Sequence, residues 1–225
     1  MARPKIVAMI PARLGSERIP RKNLAPMGNT TLLGNAIRIA QRVKLYDEVW
    51  VNTADDRLAE EAERCGAEVH RRSPALSDGS DSMSFKLEFT TMHQAEFVVN
   101  HNPTAPLLTP GTCTAFCEKL LSDGYDVLHT IRRHQAYMLD QDFLPINFDD
   151  NEHPRTQDLP PVYEVCWAVF GWQREAFLRA ECGVWQGRVG FFELSDLEAT
   201  QVRHGPLELE VAQYLFAKHR EIPCA

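Results

Sequence analysis

The feature that most limits what this chain can become is an alternation over residues 5–70. Short, continuously apolar runs take turns with stretches of helical spacing. Residues 5–10 hold Ile6, Val7, Met9 and Ile10 without a polar break, the pattern of a strand covered on both faces. Thr31 to Val43 places Leu32, Leu33, Ala36, Ile37, Ala40 and Val43 at helical spacing, with Thr30 or Thr31 in position to cap. Glu48–Thr53 reads as a second strand. A helix from Asp55 or Asp56 through Leu58, Ala59, Ala62 and Cys65 stops at Gly66, and Ala67–His70 is a short third strand. Helices of ~10 residues between apolar strands point to a parallel sheet joined by right-handed crossovers.

The rhythm continues with a helix over 81–95, a strand over 96–100, a loop fixed by Pro103 and Pro106, a helix over 109–121 and a strand over 126–131. Between 132 and 161 it breaks down into a polar segment rich in proline and acids, an excursion that suits an arm, a lid or a subunit contact. Strands follow at 162–172, 187–194 and 199–202, with a short helix at 175–181 and a closing amphipathic helix at 207–220. All 225 residues fit a single domain, 1–225. The net charge of -7 disfavours general nucleic-acid binding but not a local basic site. No apolar run approaches the ~18–20 residues that span a membrane, and the N-terminus does not read as a signal peptide. The six cysteines are scattered, and Cys113 and Cys117, four apart, read as buried thiols on one helix face. The expectation is a reduced, cytoplasmic protein.

In open α/β sheets ligands sit outside the carboxyl ends of the strands. Here those ends are the 11–23 loop, Thr53, the 71–82 loop and the 100–106 loop. The first carries Arg13, Gly15, Ser16, Arg18, Arg21, Lys22 and Asn23. Cations clustered beside small residues just past a strand suit a polyphosphate, because backbone N–H groups approach closely where side chains are small.

The run Ile10-Pro-Ala-Arg-Leu-Gly-Ser-Glu-Arg-Ile-Pro-Arg-Lys-Asn23 closely resembles the signature of the acidic-sugar cytidylyltransferases. These are the CMP-sialic acid synthetases and their relatives for pseudaminic, legionaminic and Kdo-type sugars. Asn52-Thr-Ala-Asp55, Ala59-Glu-Glu-Ala62, Gly66-Ala-Glu-Val69, Arg72 with Ser73–Asp78, and Asn102–Pro106 extend the resemblance, and Pro154-Arg155 with Leu159-Pro160 add to it more weakly. The resemblance implies a Rossmann-like α/β nucleotidyltransferase fold, with a mostly parallel sheet, helices on both faces and a dimerisation excursion near 132–161. It implies transfer of CMP from CTP to a sialic-acid-like 2-keto sugar acid, release of pyrophosphate, Mg²⁺ and a homodimer. Arg13, Lys22 and Asn23 would hold phosphates and base, and Gly15 and Ser16 would let the loop close. Arg72, Ser82 and Asn102 would line the base, the ribose or the phosphates.

One departure bears on the chemistry. The family carries an acidic pair near its C-terminus that binds Mg²⁺ and orients the sugar hydroxyl. The corresponding run, Glu198 to His204, has Gln201 and Arg203 in those places. A neutral amide is a poor Mg²⁺ ligand and a guanidinium is none. The metal ligands therefore stay open, with three alternatives. Asp196, Glu198 or Asp55 holds the metal; or Arg203 is the catalytic cation in its stead, with His204 the nearest base; or the chain is a catalytically impaired nucleotide-binding homologue. Cys166 and Trp167 also replace a small polar pair near the sugar, and Trp185, Phe191 and Phe192 resemble residues of the sugar pocket or dimer contact.

Overall fold

A computed structural model describes residues 3–16, 18–76, 83–149, 153–180 and 183–219. Seven strands form the central sheet: β1 (Ile6–Pro11), the strands Glu48–Thr53, Glu68–Arg71, Phe97–His101, Val127–His134, Val162–Gln173 and Val189–Glu193. A two-stranded ribbon, β2 (Pro26–Met27) with β3 (Thr30–Thr31), follows β1, so the other six are β4 to β9 in chain order. The sheet order is β5-β4-β1-β6-β8-β7-β9. Neighbours are parallel except at β8, which runs against both β6 and β7. The mostly parallel α/β sheet expected from the alternation is present.

β1 is the axis. Ile6 through Ile10 are fully buried, and burying an aliphatic side chain of this size contributes about 1.5–3 kcal/mol. Helices α1 (Leu32–Gln41), α2 (Asp56–Arg64) and α4 (Pro110–Ser122) pack on one face through Leu33, Ile37, Leu58, Ala62 and Phe116. Helices α3 (Ser84–Met92) and α5 (Arg174–Arg179) cover the other through Phe85, Phe89 and Phe177. The caps follow the sequence. The Thr31 hydroxyl accepts from Gly34 N–H, Asp55 accepts from Arg57 and Leu58 N–H, and Thr109 accepts from Thr112 N–H. Gly66 ends α2 with φ +76°, where a side chain would be strained.

A third apolar cluster joins Ile19, Met27, Leu107, Val202 and the closing helix α6 (Pro206–His219) through Ala212 and Phe216. It braces the basic loop, the proline loop and the 201–203 segment against one another.

Two expectations need correction. Residues 199–202 are a turn and irregular chain, not a strand. The Val202 N–H donates to Thr104 O at 2.9 Å and the Gln201 amide donates to Cys166 O, so this segment bonds to the proline loop and to a β8 carbonyl, not to a neighbouring strand ladder. β7 also runs on to His134, so the excursion starts later than residue 132. Beyond it the chain folds back through a bridge between Leu139 and Pro145.

Candidate active site

The carboxyl ends of β1, β4, β5 and β6 bring their loops together, as the strand order requires. They enclose a cavity of about 190 Å³ lined by Arg13, Ser16, Lys22, Asn23, Arg72 and Asn102, with Pro11, Ala12, Phe85 and Thr104 completing the wall. Six of the residues singled out in the sequence thus meet in one place. Gly15 lies in an adjoining cavity of about 170 Å³ with Arg13, Thr53 and Asp55. Ser82 lies outside the described residues.

Each polar group has a structural reason for its position. Pro11 ends β1, and Ala12 N–H donates to Asn52 O at 3.0 Å, so the chain leaves the sheet still tethered to β4. Arg21 takes the left-handed conformation, φ 55°, and turns the chain into a short 3₁₀ segment over Lys22–Leu24. The Asn23 side-chain amide donates to Arg13 O at 2.9 Å and closes the loop on itself. Lys22 Nζ donates to Val202 O at 3.1 Å, linking the basic loop to the C-terminal segment. The Asn102 carbonyl oxygen accepts from the Thr104 hydroxyl at 3.1 Å.

Arg72 is buried. Its Nε donates to Asn52 Oδ1 at 2.8 Å, its Nη2 to Asn52 O at 2.9 Å, and its guanidinium lies 4.1 Å from the Phe85 ring centroid. The cation is held by the Asn52 amide and the Phe85 ring face, with no carboxylate on its fork among the described residues. Burial lowers its pKa to about 10; Glu88 opposes that shift and Arg13 adds to it. Glu88 also accepts from Ser73 N–H at 3.0 Å, fixing the chain beside Arg72 to α3.

The electrostatics carry the chemical meaning. Burial pushes the Lys22 ammonium below its ordinary pKa, and Arg18 and then Arg13 push it further, against a weaker pull from Glu208. Cations that repel one another around a cavity are stabilised by an anion bound among them.

Arg203 sits next to this cluster, one residue beyond Val202, but its side chain turns elsewhere. Its guanidinium donates to Cys166 O and Gln201 Oε1 and pairs with Glu164 at 3.3 Å. Gln201, itself buried, also donates to Cys166 O. The reason lies in β8. Its pairing with β7 shifts register between His129 and Ile131, and Trp167 in the bulge has φ 53°. The bulge takes the Cys166 carbonyl out of the ladder, and Gln201 and Arg203 satisfy it.

These residues do not fit the expected Mg²⁺. An amide and a guanidinium committed to a backbone carbonyl offer no anionic oxygen. The other candidate acids are also engaged. Asp196 pairs with Arg132 at 3.0 Å, Glu198 accepts from Thr109 N–H and the Thr112 hydroxyl at the start of α4, and Asp55 caps α2. No group of three or more His, Cys, Asp or Glu that could hold a metal occurs among the described residues. His204, the candidate base, is exposed and holds Glu208 at 2.8 Å through Nδ1.

Phe85 and Thr104 were not singled out in the sequence, nor was Lys86 beyond them. Thr104 lies inside the proline loop, Asn102–Pro106, that the sequence marks. Phe85 and Lys86 sit in an otherwise ordinary helix, and only the fold brings them to the strand ends.

A cytidylyltransferase family model matches residues 7–164. N-acylneuraminate cytidylyltransferase A of Danio rerio is 35% identical over 162 residues, 68% of this chain and 38% of that protein. N-acylneuraminate cytidylyltransferase B of the same fish is 34% identical over 83% of this chain and 46% of its own length. The chain thus spans under half the length of these curated relatives. An 8-amino-3,8-dideoxy-manno-octulosonate cytidylyltransferase of Shewanella oneidensis is 24% identical over 88% of this chain and 87% of that one. Among solved structures, a CMP:2-keto-3-deoxy-manno-octonic acid synthetase superposes with a TM-score of 0.74 and 16% identity, covering 95% of this chain and 99% of that one. That likeness is one of fold.

Proposed function

The chain belongs to the cytidylyltransferase family, and on that premise we propose that it transfers CMP from CTP to an acidic sugar of the 2-keto acid type, releasing pyrophosphate. The observation that carries this reading is the set of three cations, Arg13, Lys22 and Arg72, that line one cavity at the strand ends. In such a transfer the anomeric hydroxyl attacks the α-phosphorus, the bond to the bridging oxygen of pyrophosphate breaks, and the hydroxyl's proton passes to the leaving pyrophosphate. Charge builds on the leaving pyrophosphate, and pre-positioned cations offset it without reorganising. Arg13 and Lys22 take that task, a role supported by their positions in the cavity wall. Arg72 and Asn102 fix the nucleotide's remaining groups, a role supported by their rigid settings against Asn52 and Thr104. Mg²⁺ bound to the nucleotide itself would add charge neutralisation, but the phosphate charge is met by this chain's own cations.

A second reading, nucleotide binding without transfer, draws support from Gln201 and Arg203, both spent on the Cys166 carbonyl. Incubation with CTP and a panel of 2-keto sugar acids separates the two. Pyrophosphate release supports transfer. CTP stabilisation without release across the panel supports binding alone.

Location in the cytoplasm and a homodimer joined through 132–161 complete the reading. No helix among the described residues is long and apolar enough to cross a membrane. Leu139, Phe143, Leu144 and Ile146 are exposed on this excursion, an apolar surface of the kind that pairs. Phe143→Asp with Leu144→Asp should yield monomers in analytical ultracentrifugation; an unchanged sedimentation coefficient would move the interface elsewhere.

A further inference from the structure

Behind Arg72, three polar side chains run in series between β5 and α3. His93 Nε2 and His70 Nδ1 lie 3.0 Å apart. The other ring nitrogen of His70, Nε2, stands 3.6 Å from Glu88 Oε2. Glu88 in turn accepts from the N–H of Ser73, the residue after Arg72, at 3.0 Å. His70 belongs to β5, His93 follows the last turn of α3, and Glu88 lies one turn beyond Phe85 on that helix.

Both imidazoles sit among aromatic rings. His70 is 5% exposed and meets Phe89 edge-on at 5.1 Å. His93 stacks on Phe89 at 4.0 Å and meets Trp50 at 4.5 Å. Polar groups in such a setting cost stability unless partnered, and apolar side chains would pack there at less cost. Burial lowers the pKa of His70; Glu88 pulls the other way and Arg72 adds to the fall. Burial and then His70 lower that of His93 to about 4, with Glu48 opposing and Lys5 adding. At neutral pH each ring is therefore neutral and carries one N–H. One arrangement of those protons suits the series. Glu88, an acceptor only, takes the Ser73 N–H and faces the N–H of His70 Nε2. His70 Nδ1 is then bare and accepts from His93 Nε2–H. The reverse arrangement would set a bare nitrogen against a carboxylate.

Resting on the nucleotide reading above, we infer that Glu88, oriented by His70 and His93, is a positioning residue for Arg72. Arg72 N–H donates to Thr53 O at 3.0 Å, and the next N–H, of Ser73, goes to Glu88. The backbone that carries the guanidinium is thus pinned to β4 on one side and to α3 on the other. The guanidinium itself lies over Phe85, so α3 holds Arg72 at both ends, by a ring at the charge and a carboxylate at the chain. Glu88 supplies reach, an oxygen at the right place, and the imidazole pair keeps that carboxylate from turning away. Glu88 is not among the residues that line the cavity. It acts on the nucleotide through Arg72.

Calorimetric titration with CTP tests this on two substitutions of opposite character. Glu88→Asp keeps the charge and shortens the reach by a methylene; Glu88→Gln keeps the reach and removes the charge. Glu88→Asp should weaken CTP binding by about fivefold or more, the size of coupling within one network. Glu88→Gln should keep most of the affinity, since its amide oxygen still accepts from Ser73 N–H. In an Arg72→Met background Glu88→Asp should cost nothing further. His70→Phe fits the aromatic setting, leaves Glu88 without its orienting group and should also weaken CTP, which keeps the test open if Glu88→Asp does not fold. The Glu88→Gln amide turns its N–H toward His70, so the series must reverse. Nitrogen NMR shifts should show Nε2–H on both rings in wild type and Nδ1–H on both in Glu88→Gln, a signature that loss of packing does not produce. Full CTP affinity in Glu88→Asp or His70→Phe, or a larger loss in Glu88→Gln than in Glu88→Asp, would overturn the inference. So would an equal loss from Glu88→Asp with and without Arg72, or tautomers unchanged in Glu88→Gln. A wild-type protein that does not bind CTP would instead refute the nucleotide reading on which the inference rests.

Discussion

Replacing Lys22 with methionine keeps most of the side-chain volume and removes the charge at the centre of the basic loop. Lys22 is half-buried, donates to Val202 O at 3.1 Å and is pushed below its ordinary pKa by burial and then by Arg18 and Arg13. Without ligand the effects of the substitution oppose one another. A charged hydrogen bond is lost, but a repelling, partly desolvated cation is removed as well. The unliganded melting temperature should therefore change by no more than about 2–4 °C, the equivalent of ~1 kcal/mol in a chain of this size. With nucleotide the effects no longer cancel. A hydrogen bond to a charged group contributes about 1.5–3 kcal/mol, so Kd for CTP should rise roughly 10- to 150-fold. At a CTP concentration of ~100 Kd, wild type gains about 2.7 kcal/mol of stability, or roughly 5–11 °C. At the same concentration Lys22→Met should lose about 1.4–2.4 kcal/mol of that gain, some 3–10 °C. Differential scanning fluorimetry with and without CTP reads both numbers. Lys44→Met, an exposed lysine at the opposite end of β4, is the control and should keep the full shift. A Lys22→Met protein that retains the whole CTP shift would refute the placement of the triphosphate in this cavity.

The CTP shift should be as large in EDTA as in millimolar Mg²⁺, since no acid cluster among the described residues is placed to hold the metal; a shift that vanishes on chelation would contradict this. Gln201→Asp with Arg203→Asp strips the Cys166 carbonyl of both its donors and should destabilise the unliganded fold by about 1–3 kcal/mol in urea titration. The same pair should make CTP stabilisation depend on Mg²⁺, and a double variant as stable as wild type would mean the carbonyl does not need them. His93 and His101 are both lowered to about 4, in each case first by burial. Each stays neutral in the fold where the unfolded chain is already protonated. Stability present above pH 6.5 should therefore fall toward pH 4 by up to ~1.4 kcal/mol per pH unit per histidine. His101→Asn should flatten that slope, and a slope unchanged in the variant would assign it to other groups.

Much of the framework was readable because it is local. β1 is apolar at every position, Thr31 and Asp55 stand where caps belong, and Gly66 marks a helix end. Periodicity and capping are properties of neighbouring residues, so one dimension suffices to see them. The basic loop was readable for the same reason, and six residues named for the nucleotide do line one cavity. The failures are non-local. Residues 199–202 look like a strand, yet their hydrogen bonds go to Thr104 and Cys166. The ribbon Pro26–Met27 with Thr30–Thr31 is too short for any period to register. Arg203 reads from the sequence as a candidate phosphate cation, while the bulge in β8 gives it a carbonyl and Glu164 to hold. Lys86 looks like one more surface lysine until α3 docks and closes Phe85 and Phe170 around it.

The central claim, that this chain moves CMP from CTP onto an acidic sugar, is tested most directly by phosphorus NMR. The sample holds the protein, CTP, and N-acetylneuraminate or 3-deoxy-manno-octulosonate. The CTP resonances should give way to equal amounts of pyrophosphate and a new phosphodiester with at least one acid, and to neither when the acid is left out. CTP that remains intact with both acids, while still stabilising the fold, would contradict it.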